Sequence, residues 1–215
     1  MLAFDLFWSF RSPYSYLLLP RVAELVATCD VECNVRIVYP IAVRQPDFFQ
    51  KVDPLWVFYL MKVTYRTAEY LGMPYRWPVP DPVYMDPATR LYPPDQPHIH
   101  RLSHLGIAAA QAGHGLAFIR AVSHTIWSGT ADNWHQGDHL GQAAARAGLD
   151  LAVLDGAVAA DPGRYRAQVE ANQDAQRASG HFGVPLMALD GEPFFGQDRF
   201  DQLVWRLRQK GLRER

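Results

Sequence analysis

Cysteine is scarce in this sequence: its 215 residues include only Cys29 and Cys33. Two cysteines are too few for the disulfide framework of a small secreted protein, which favours a reducing cytoplasm. Long hydrophobic runs are missing too, and without about 18 consecutive uncharged apolar residues the sequence predicts no membrane span. The apolar start contains Asp5 and Arg11 and lacks a basic leader, so we interpret it as a core strand rather than a signal peptide.

A large charge excess of either sign is also lacking. The chain has 21 basic and 22 acidic residues, a formal net charge of −1. No broad basic face is therefore expected, and nucleic acid is not a predicted partner. What the sequence does have is 49% hydrophobic and 13% aromatic residues, enough to bury a core in one elaborated domain or a small domain with an insertion.

The first forty or so residues predict a strand, a helix and a second strand. Residues 3–10 have at least one fully apolar face, and residues 31–39 alternate apolar with polar side chains. Residues 13–28 show helical spacing, although Pro20 lies inside them and should kink or split the helix. This order indicates a parallel pair of strands with a right-handed crossover.

The middle of the chain is predicted to be helical. Helical spacing of Leu, Ala, Tyr and Trp covers four segments, residues 54–72, 99–113, 115–128 and 135–147. The loop from Pro74 to Pro97 contains eight of the sixteen prolines, which predicts a semi-rigid extended arm. Long ordered loops are often lids or interface arms, so we expect a homodimer.

Strand character returns near the C-terminus. Asp161-Pro162 predicts the start of a helix that ends by Gly180, residues 184–189 a short strand, and Asp190-Gly191 a hairpin turn. A returning strand and a last helix follow. The fold class is therefore α/β: a thioredoxin-like β-α-β…α-β-β-α domain with a large all-helical insertion. We place its two parts at residues 1–42 and 161–215, with the insertion at 43–160.

The start of the first helix is the main candidate site. Ser12 is a favoured N-cap, and Pro13 at the first helical position has no amide hydrogen. The unpaired amides of the first turn favour an anion, such as a thiolate or carboxylate. A Cys-x-x-Cys pair here would indicate a dithiol oxidoreductase. This chain has Ser12-Pro13-Tyr14-Ser15 instead, and we interpret its two cysteines as ordinary buried or half-buried thiols.

Two further elements could complete a ligand site. Val184-Pro185 could be a cis bond that presents the Val184 backbone to an extended peptide, or simply a proline at a sheet edge. Gly196-Gln197-Asp198-Arg199 should open the last helix and could receive a carboxylate and an ammonium group. Alternatively, Asp198 could simply cap that helix and compensate its dipole. The three elements together suit a peptide with a thiol and a zwitterionic end, and glutathione fits that description.

The chain resembles the 2-hydroxychromene-2-carboxylate isomerases and the kappa-class glutathione transferases, which share the fold of DsbA-type oxidoreductases. The resemblance is carried mainly by three segments, residues 10–16, 181–186 and 190–200. It is looser in residues 59–74 and 102–113.

This resemblance implies that Ser12 stabilises the glutathione thiolate and is the catalytic residue. It also implies that Val184 and Pro185 bind the glutathione backbone, and that Gln197 and Asp198 bind its γ-glutamyl end. In the isomerases the thiolate adds to an unsaturated aromatic substrate, allows bond rotation and is eliminated.

Where the family has lysine or asparagine near the entry to the second domain, this chain has Arg44, Asp47 and Trp56. We place the aromatic substrate pocket at Tyr14, Arg44 and Trp56. The rival hypotheses are a glutathione transferase and a non-catalytic peptide- or partner-binding module.

Histidines and aromatic residues receive more ordinary interpretations. His98, His100 and His104 lie close together, as do His135 and His139, but no cysteine or acidic residue stands at a ligand spacing beside them. We therefore predict surface or capping histidines and no metal. The aromatic residues between 56 and 77 are interpreted mainly as core and loop packing, although some could line a substrate pocket.

Overall fold

The computed structural model describes residues 1–89 and 91–215. Within them, four strands are β1 (Leu2–Trp8), β2 (Val31–Ile37), β3 (Leu186–Leu189) and β4 (Glu192–Phe195). The helices are α1 (Pro13–Thr28), α2 (Ile41–Arg44), α3 (Phe48–Lys51), α4 (Pro54–Tyr70), α5 (Pro97–Gln111), α6 (Gly115–Trp127), α7 (His139–Arg146), α8 (Leu151–Ala160), α9 (Pro162–Ala178) and α10 (Phe200–Gln209). A 3₁₀ turn, Gln197–Arg199, precedes α10.

The strands form one mixed sheet in the order β2-β1-β3-β4. β2 runs parallel to β1, as the strand-helix-strand order predicts, while β3 and β4 are antiparallel to their neighbours. Asp190 and Gly191 have φ values of 51° and 83°, which suits a type I′ hairpin turn. The predicted fold class is confirmed, and the domain boundaries at 42 and 160 stay a prediction.

Helix α1 packs its apolar face against the sheet and forms part of the core. Leu17, Leu18 and Val22 are fully buried there. The helix is not split by Pro20: it runs unbroken from Pro13 to Thr28, with the exposed proline on its outer side. The missing amide hydrogen therefore faces away from the packed side, where its loss is easier to tolerate.

Three helical predictions need correction. The helix predicted from residue 135 begins at His139, and the short helices α2 and α3 as well as α8 were not predicted. The sequence of α8 combines apolar residues with Gly156 and lacks a clear polar face, so no helical period stands out. The last helix opens through a 3₁₀ turn rather than directly at Gln197.

The proline-rich loop is packed against the body of the protein. Trp134 Nε1 donates to the Pro80 carbonyl at 2.8 Å, and the Arg76 amide donates to the Trp127 carbonyl at 2.7 Å. Val83 is buried, and the Gln96 side chain binds the backbone of Tyr84 through both its oxygen and its nitrogen. These intramolecular contacts hold the loop in place, and its role as a lid or interface arm stays a prediction.

Within residues 1–89 and 91–215, no helix combines the length and the hydropathy that a bilayer span requires.

Candidate functional site

Ser12 caps α1 and faces the loop before β3. Its Oγ accepts the Ser15 amide at 3.2 Å and donates to the Val184 carbonyl at 3.3 Å. Ser12 is partly exposed whereas Ser15 is fully buried, so only the first of the two hydroxyls can meet a ligand. The sequence motif and the residue it was predicted to approach are therefore in contact.

The first turn of α1 keeps one amide donor for a ligand. Pro13 has no N–H, and the Tyr16 amide donates to the Ser12 carbonyl at 3.2 Å. Among the hydrogen bonds of the described residues, none has the Tyr14 amide as donor. Because the first turn contains no acidic residue, the positive end of the helix is not compensated from within the helix. Ser12 Oγ–H and Tyr14 N–H are the donors that an anion would meet.

Val184-Pro185 is a cis peptide bond at the start of β3. β3 lies between β1 and β4, so the alternative of a proline at a sheet edge is wrong. The Pro185 carbonyl accepts the Gly196 amide at 2.9 Å, which ties this bond to the turn before α10. Sequence spacing could not show this proximity, because it depends on the pairing of β3 with β4.

Arg44 supports the loop that presents Val184. Its Nη1 donates to Gln176 Oε1 at 3.2 Å, and its Nη2 donates to the Phe182 carbonyl at 2.8 Å. Gln176, which is fully buried, donates from Nε2 to the Gly183 carbonyl at 2.7 Å. Burial, and secondarily the nearby Arg177, lowers the pKa of Arg44 to about 10. These contacts lie behind the Val184 loop, and sequence analysis missed Gln176 because glutamine carries no motif of its own.

His181 also holds this loop. Its Nδ1 lies 2.8 Å from the Gly183 amide, which requires that this nitrogen be unprotonated and accept the bond. The ring stacks on Phe195 at 3.8 Å between centroids. Burial lowers the pKa of His181, which favours the neutral ring that the bond needs.

Gln197 and Asp198 lie beside α1, as predicted. Arg21 Nη2 donates to the Gln197 carbonyl and, at 3.1 Å, to its Oε1. Asp198 Oδ2 accepts from Arg199 at 2.9 Å, while Oδ1 accepts no hydrogen bond among those described. No side-chain cap hydrogen bond forms here, so Asp198 does not cap the helix in that way, but its carboxylate lies in the first turn, where the dipole compensation of the simpler alternative requires it.

A half-buried ion pair adjoins Ser12, and sequence analysis missed it. Arg11 contacts both carboxylate oxygens of Asp81, with Nη2 to Oδ2 at 3.0 Å. The guanidinium also lies over the rings of Phe49 and Trp77, at 5.4 and 5.6 Å from their centroids. Asp81 is 70 positions away in the proline-rich loop, so only the folded chain reveals the pair.

Tyr14 and Trp56 lie on the α4 side of the site. Burial raises the pKa of Tyr14, with smaller contributions from Tyr59 and Asp198, which places Tyr14 within electrostatic range of both. Trp56 packs on Phe49, at 6.4 Å between centroids. Phe49 contacts Arg11, so these aromatic rings extend from Trp56 towards Ser12.

The interpretation of the aromatic residues as core packing needs partial correction. Trp56, Tyr59, Tyr65 and Tyr70 on α4 are exposed. Tyr75 and Trp77 are partly buried against the core, as expected. The helical spacing of these four α4 residues is visible in the sequence. The sequence does not show which side of that helix faces the protein.

The histidines are not all surface residues. Tyr39 Oη and His104 Nε2 are 2.8 Å apart and buried. His98 and His135 approach each other, at 4.5 Å between ring centroids. Within residues 1–89 and 91–215, no group of three or more histidine, cysteine or acidic side chains is arranged to hold a metal.

The two cysteines are free thiols. Cys29 is buried at the end of α1 and Cys33 is half-buried on β2. Burial raises the pKa of Cys33, as do the charges of Asp5 and Glu32. The interpretation of Cys33 as an ordinary half-buried thiol agrees with its burial and this raised pKa.

The mixed sheet, the Ser12 helix start and the cis-proline loop define the thioredoxin-like class of fold, here with a helical insertion. A family model described as a DSBA-like thioredoxin domain matches residues 3–208. The chain belongs to that family. A sequence search of the curated proteins found no match.

Solved structures of the same fold include three with similar architecture over nearly the whole chain. A 2-hydroxychromene-2-carboxylate isomerase has a TM-score of 0.68 at 19% identity, covering 97% of this chain and 95% of its own. A probable DsbA oxidoreductase from Streptomyces coelicolor has a TM-score of 0.65 at 18% identity, covering 96% and 89%. The cytosolic disulfide reductase DsbM from Pseudomonas aeruginosa has a TM-score of 0.59 at 19% identity, covering 97% and 100%. At these identities the similarity establishes the fold.

Proposed function

We propose that this protein binds glutathione at Ser12 and uses it as a cofactor to isomerise an aromatic unsaturated carboxylate. The observation that carries the proposal is the 3.3 Å contact of Ser12 Oγ with the Val184 carbonyl. It brings a thiolate-stabilising hydroxyl next to a backbone segment that can pair with a peptide. Ser12 is the catalytic residue, since its hydroxyl would turn from Val184 to the ligand sulfur.

The site residues fit the chemical groups of glutathione. The Val184 amide is not a donor in any of the described hydrogen bonds, so it can pair with the cysteinyl backbone beside Pro185. The Gln197 and Asp198 amides are likewise not donors, which leaves two N–H groups for the γ-glutamyl carboxylate. Asp198 Oδ1 can accept from the ammonium group. Both charged groups of the γ-glutamyl end therefore find partners of the opposite polarity.

The spacing of these residues also suits a short extended peptide. Arg21 follows Ser12 by nine positions, about 14 Å along a helix, and its side chain reaches Gln197. Side chains on a helix point towards its N-terminus, which shortens the gap. A tripeptide spans about 10 Å when extended, and the γ-linkage of glutathione adds to that. One molecule can therefore contact Ser12 and Asp198 together.

When bound, glutathione would supply a nucleophilic sulfur that is returned at the end of the reaction. The chain's own part is to keep that sulfur ionised and to hold the substrate. Ser12 Oγ–H, Tyr14 N–H and the positive end of α1 all favour a negative charge at this point. Tyr14 and Trp56 would form the aromatic wall of the pocket. Arg44 would act as a positioning residue, because its contacts fix the Val184 loop.

Known proteins of similar structure support the proposal. One is 2-hydroxychromene-2-carboxylate isomerase, and DsbM from Pseudomonas aeruginosa has been solved with GSH, at a TM-score of 0.58 and 17% identity. Disulfide exchange requires cysteine, and Ser12 and Ser15 occupy the helix start where a dithiol would stand. A small aromatic substrate, a homodimer and a cytoplasmic location belong to the same proposal.

Calorimetry with reduced glutathione and with S-methylglutathione tests the cofactor. We expect heat of binding with millimolar reduced glutathione, weaker binding of the methylated form, and a thiolate absorbance that titrates to higher pH in Ser12→Ala. Absence of binding by reduced glutathione would refute the cofactor role. Equal binding of both forms would instead favour a non-catalytic peptide-binding module.

Product analysis separates isomerase from transferase. An isomerase returns glutathione in full after many turnovers of an unsaturated aromatic carboxylate, whereas a transferase consumes one molecule per turnover. A conjugate that accumulates in proportion to lost free thiol would contradict the isomerase assignment and support the transferase.

A further inference from the structure

Arg11 is held in a fixed orientation directly before Ser12. Its Nε donates to Asp81 Oδ1 at 3.1 Å and its Nη2 donates to Oδ2 at 3.0 Å, so the pair is bidentate. The guanidinium also lies over the rings of Phe49 and Trp77. Two aromatic rings and one carboxylate therefore surround a flat cation, and each of them restricts how it can turn.

One nitrogen of this guanidinium stays free for a ligand. Among the hydrogen bonds of residues 1–89 and 91–215, none has Arg11 Nη1 as donor. Nη1 is not one of the buried polar atoms that lack a partner, so it reaches the solvent. Burial alone would lower the pKa of Arg11, but Asp81 and, more weakly, Tyr92 raise it, which places the Tyr92 hydroxyl near the same group. An anion can therefore meet two donors here, Arg11 Nη1 and Tyr92 Oη.

The negative charge of Asp81 is shared among three donors. Besides the bonds from Arg11, its Oδ1 accepts the Val83 amide at 2.8 Å and its Oδ2 accepts Trp77 Nε1 at 3.3 Å. Asp81 therefore balances the charge of Arg11 only in part, and the positive end of α1 adds to the local potential. A second carboxylate that approaches Nη1 is consequently attracted.

Arg11 is far less exposed than an arginine that joins two surface elements. Arg101 of α5 and Asp155 of α8 also form a bidentate pair, at 2.9 and 2.6 Å, but their side chains are 41% and 38% exposed. The Arg11 side chain is 14% exposed. Because less water surrounds it, its attraction to an anion is screened less. A ligand carboxylate would therefore gain more from Arg11 than from Arg101.

Phe49 connects this cation to the proposed aromatic pocket. The centre of its ring lies 5.4 Å from the Arg11 guanidinium carbon and 6.4 Å from the centre of the Trp56 ring. A flat unsaturated compound that packs on Phe49 and Trp56 can thus extend a carboxylate to Arg11. Consecutive Cα atoms are about 3.8 Å apart, so this carboxylate would stay close to a sulfur at Ser12.

We propose that Arg11 binds the carboxylate of the substrate through Nη1, with Tyr92 as a second donor, and so selects aromatic acids over neutral aromatic compounds. Asp81 fixes the guanidinium, and Phe49 and Trp56 contact the unsaturated body. The inference rests on the proposed function for the identity of that substrate. The alternative, that the ion pair only ties the proline-rich loop to α1, predicts no preference for a charged ligand.

Calorimetry with naphthoate and its neutral isostere naphthamide tests the assignment. Both are titrated into the full chain without glutathione at about pH 7, where a carboxylic acid is ionised. We expect naphthoate to bind at least tenfold more tightly than naphthamide. Arg11→Met should remove that preference and leave the affinity for naphthamide nearly unchanged. Arg101→Met is the matched control, since it breaks the bidentate pair between α5 and α8 and should keep the full preference.

The fold of the variant needs its own check, because Arg11→Met leaves Asp81 without its cation. Circular dichroism verifies the fold. If the single variant unfolds, Arg11→Met combined with Asp81→Asn replaces it, since the two changes together leave no unpaired charge. The same loss of preference for naphthoate is expected.

Absence of naphthoate binding, equal affinity of the wild type for both compounds, or a preference that persists in Arg11→Met would overturn the assignment. Binding of reduced glutathione to the wild type separates this inference from the proposed function. If glutathione binds and the preference for the acid is absent, the cofactor proposal stands and the Arg11 assignment fails. If the preference depends on Arg11 but glutathione does not bind, the carboxylate site stands and the cofactor proposal fails.

Discussion

The starts of α1 and α9 share one local sequence signal but lie in different surroundings. α1 begins at Ser12-Pro13 and α9 at Asp161-Pro162. Both caps accept an amide three residues on, Ser15 at 3.2 Å and Arg164 at 3.0 Å. Asp161 is exposed, whereas Ser12 also contacts the Val184 carbonyl. A capping signal therefore predicts where a helix starts, and the opposing loop determines whether that start can become a site.

The chemistry of the two caps differs as well. The Asp161 carboxylate compensates the positive end of α9, so that helix has little left to attract an anion. Ser12 is neutral, and the first turn of α1 contains no acidic residue. The partial positive charge at the start of α1 is therefore not compensated, and it could stabilise the proposed thiolate.

The largest effect is expected from Ser12→Asp, which gives α1 the cap that α9 has. The fold should persist, because aspartate is as good a cap as serine. A second negative charge at the sulfur position should weaken glutathione binding at least 100-fold, which is about 2.7 kcal/mol. Calorimetry measures the affinity, and unchanged binding would show that the sulfur does not approach residue 12.

A smaller effect is expected when the loop opposite Ser12 loses its support. Gln176→Leu removes the bond to the Gly183 carbonyl and leaves the Arg44 guanidinium without its glutamine partner. We expect a loss of about 2 kcal/mol in the free energy of unfolding and a several-fold weaker glutathione affinity. Gln168→Leu on the same helix is the control, and denaturant unfolding with calorimetry gives both values. If Gln176→Leu bound glutathione with native affinity, the contacts of Gln176 would not contribute to the site.

Asp161→Ala is expected to affect the fold but not the site. Loss of the cap should cost about 1 kcal/mol. For a chain of this size that lowers Tm by about 3 °C. Glutathione affinity should not change, and a parallel drop in affinity would contradict the distinction between the two helix starts.

The smallest effect is expected on the pH dependence of stability, through His104 and His181. Burial lowers the pKa of His104 and of His181, with His100 and Arg166 adding to the effect at His104. In this situation the unfolded chain binds protons more readily than the folded one. The contribution of these histidines is therefore complete above the ordinary pKa of about 6.5 and is lost as pH falls towards the folded values.

We expect Tm to decline gradually from pH 7 to pH 5, and less so in His104→Asn. Differential scanning calorimetry across this range measures the slope. A Tm that rises on acidification would contradict the lowered pKa values.

The sequence predicted the four strands and most of the longer helices of the described chain. Alternation predicted β1 and β2, Asp190-Gly191 predicted the hairpin, and Ser12-Pro13 predicted the start of α1, because each signal acts within a few neighbouring residues. α8 escaped prediction because its apolar residues have no clear period. The side of α4 that faces the protein was also mistaken, since Thr64 and Ala68 can pack inwards only where another element fits them.

What tertiary structure alone decided is which residues face Ser12. The sequence named Val184, Gln197 and Asp198 as candidates, but their approach to α1 depends on the pairing of β3 with β1 and β4. Arg44 and Gln176 meet across 132 positions, and Arg11 and Asp81 across 70. Local periodicity carries no information about such distant pairs, because packing of the whole core sets their separation.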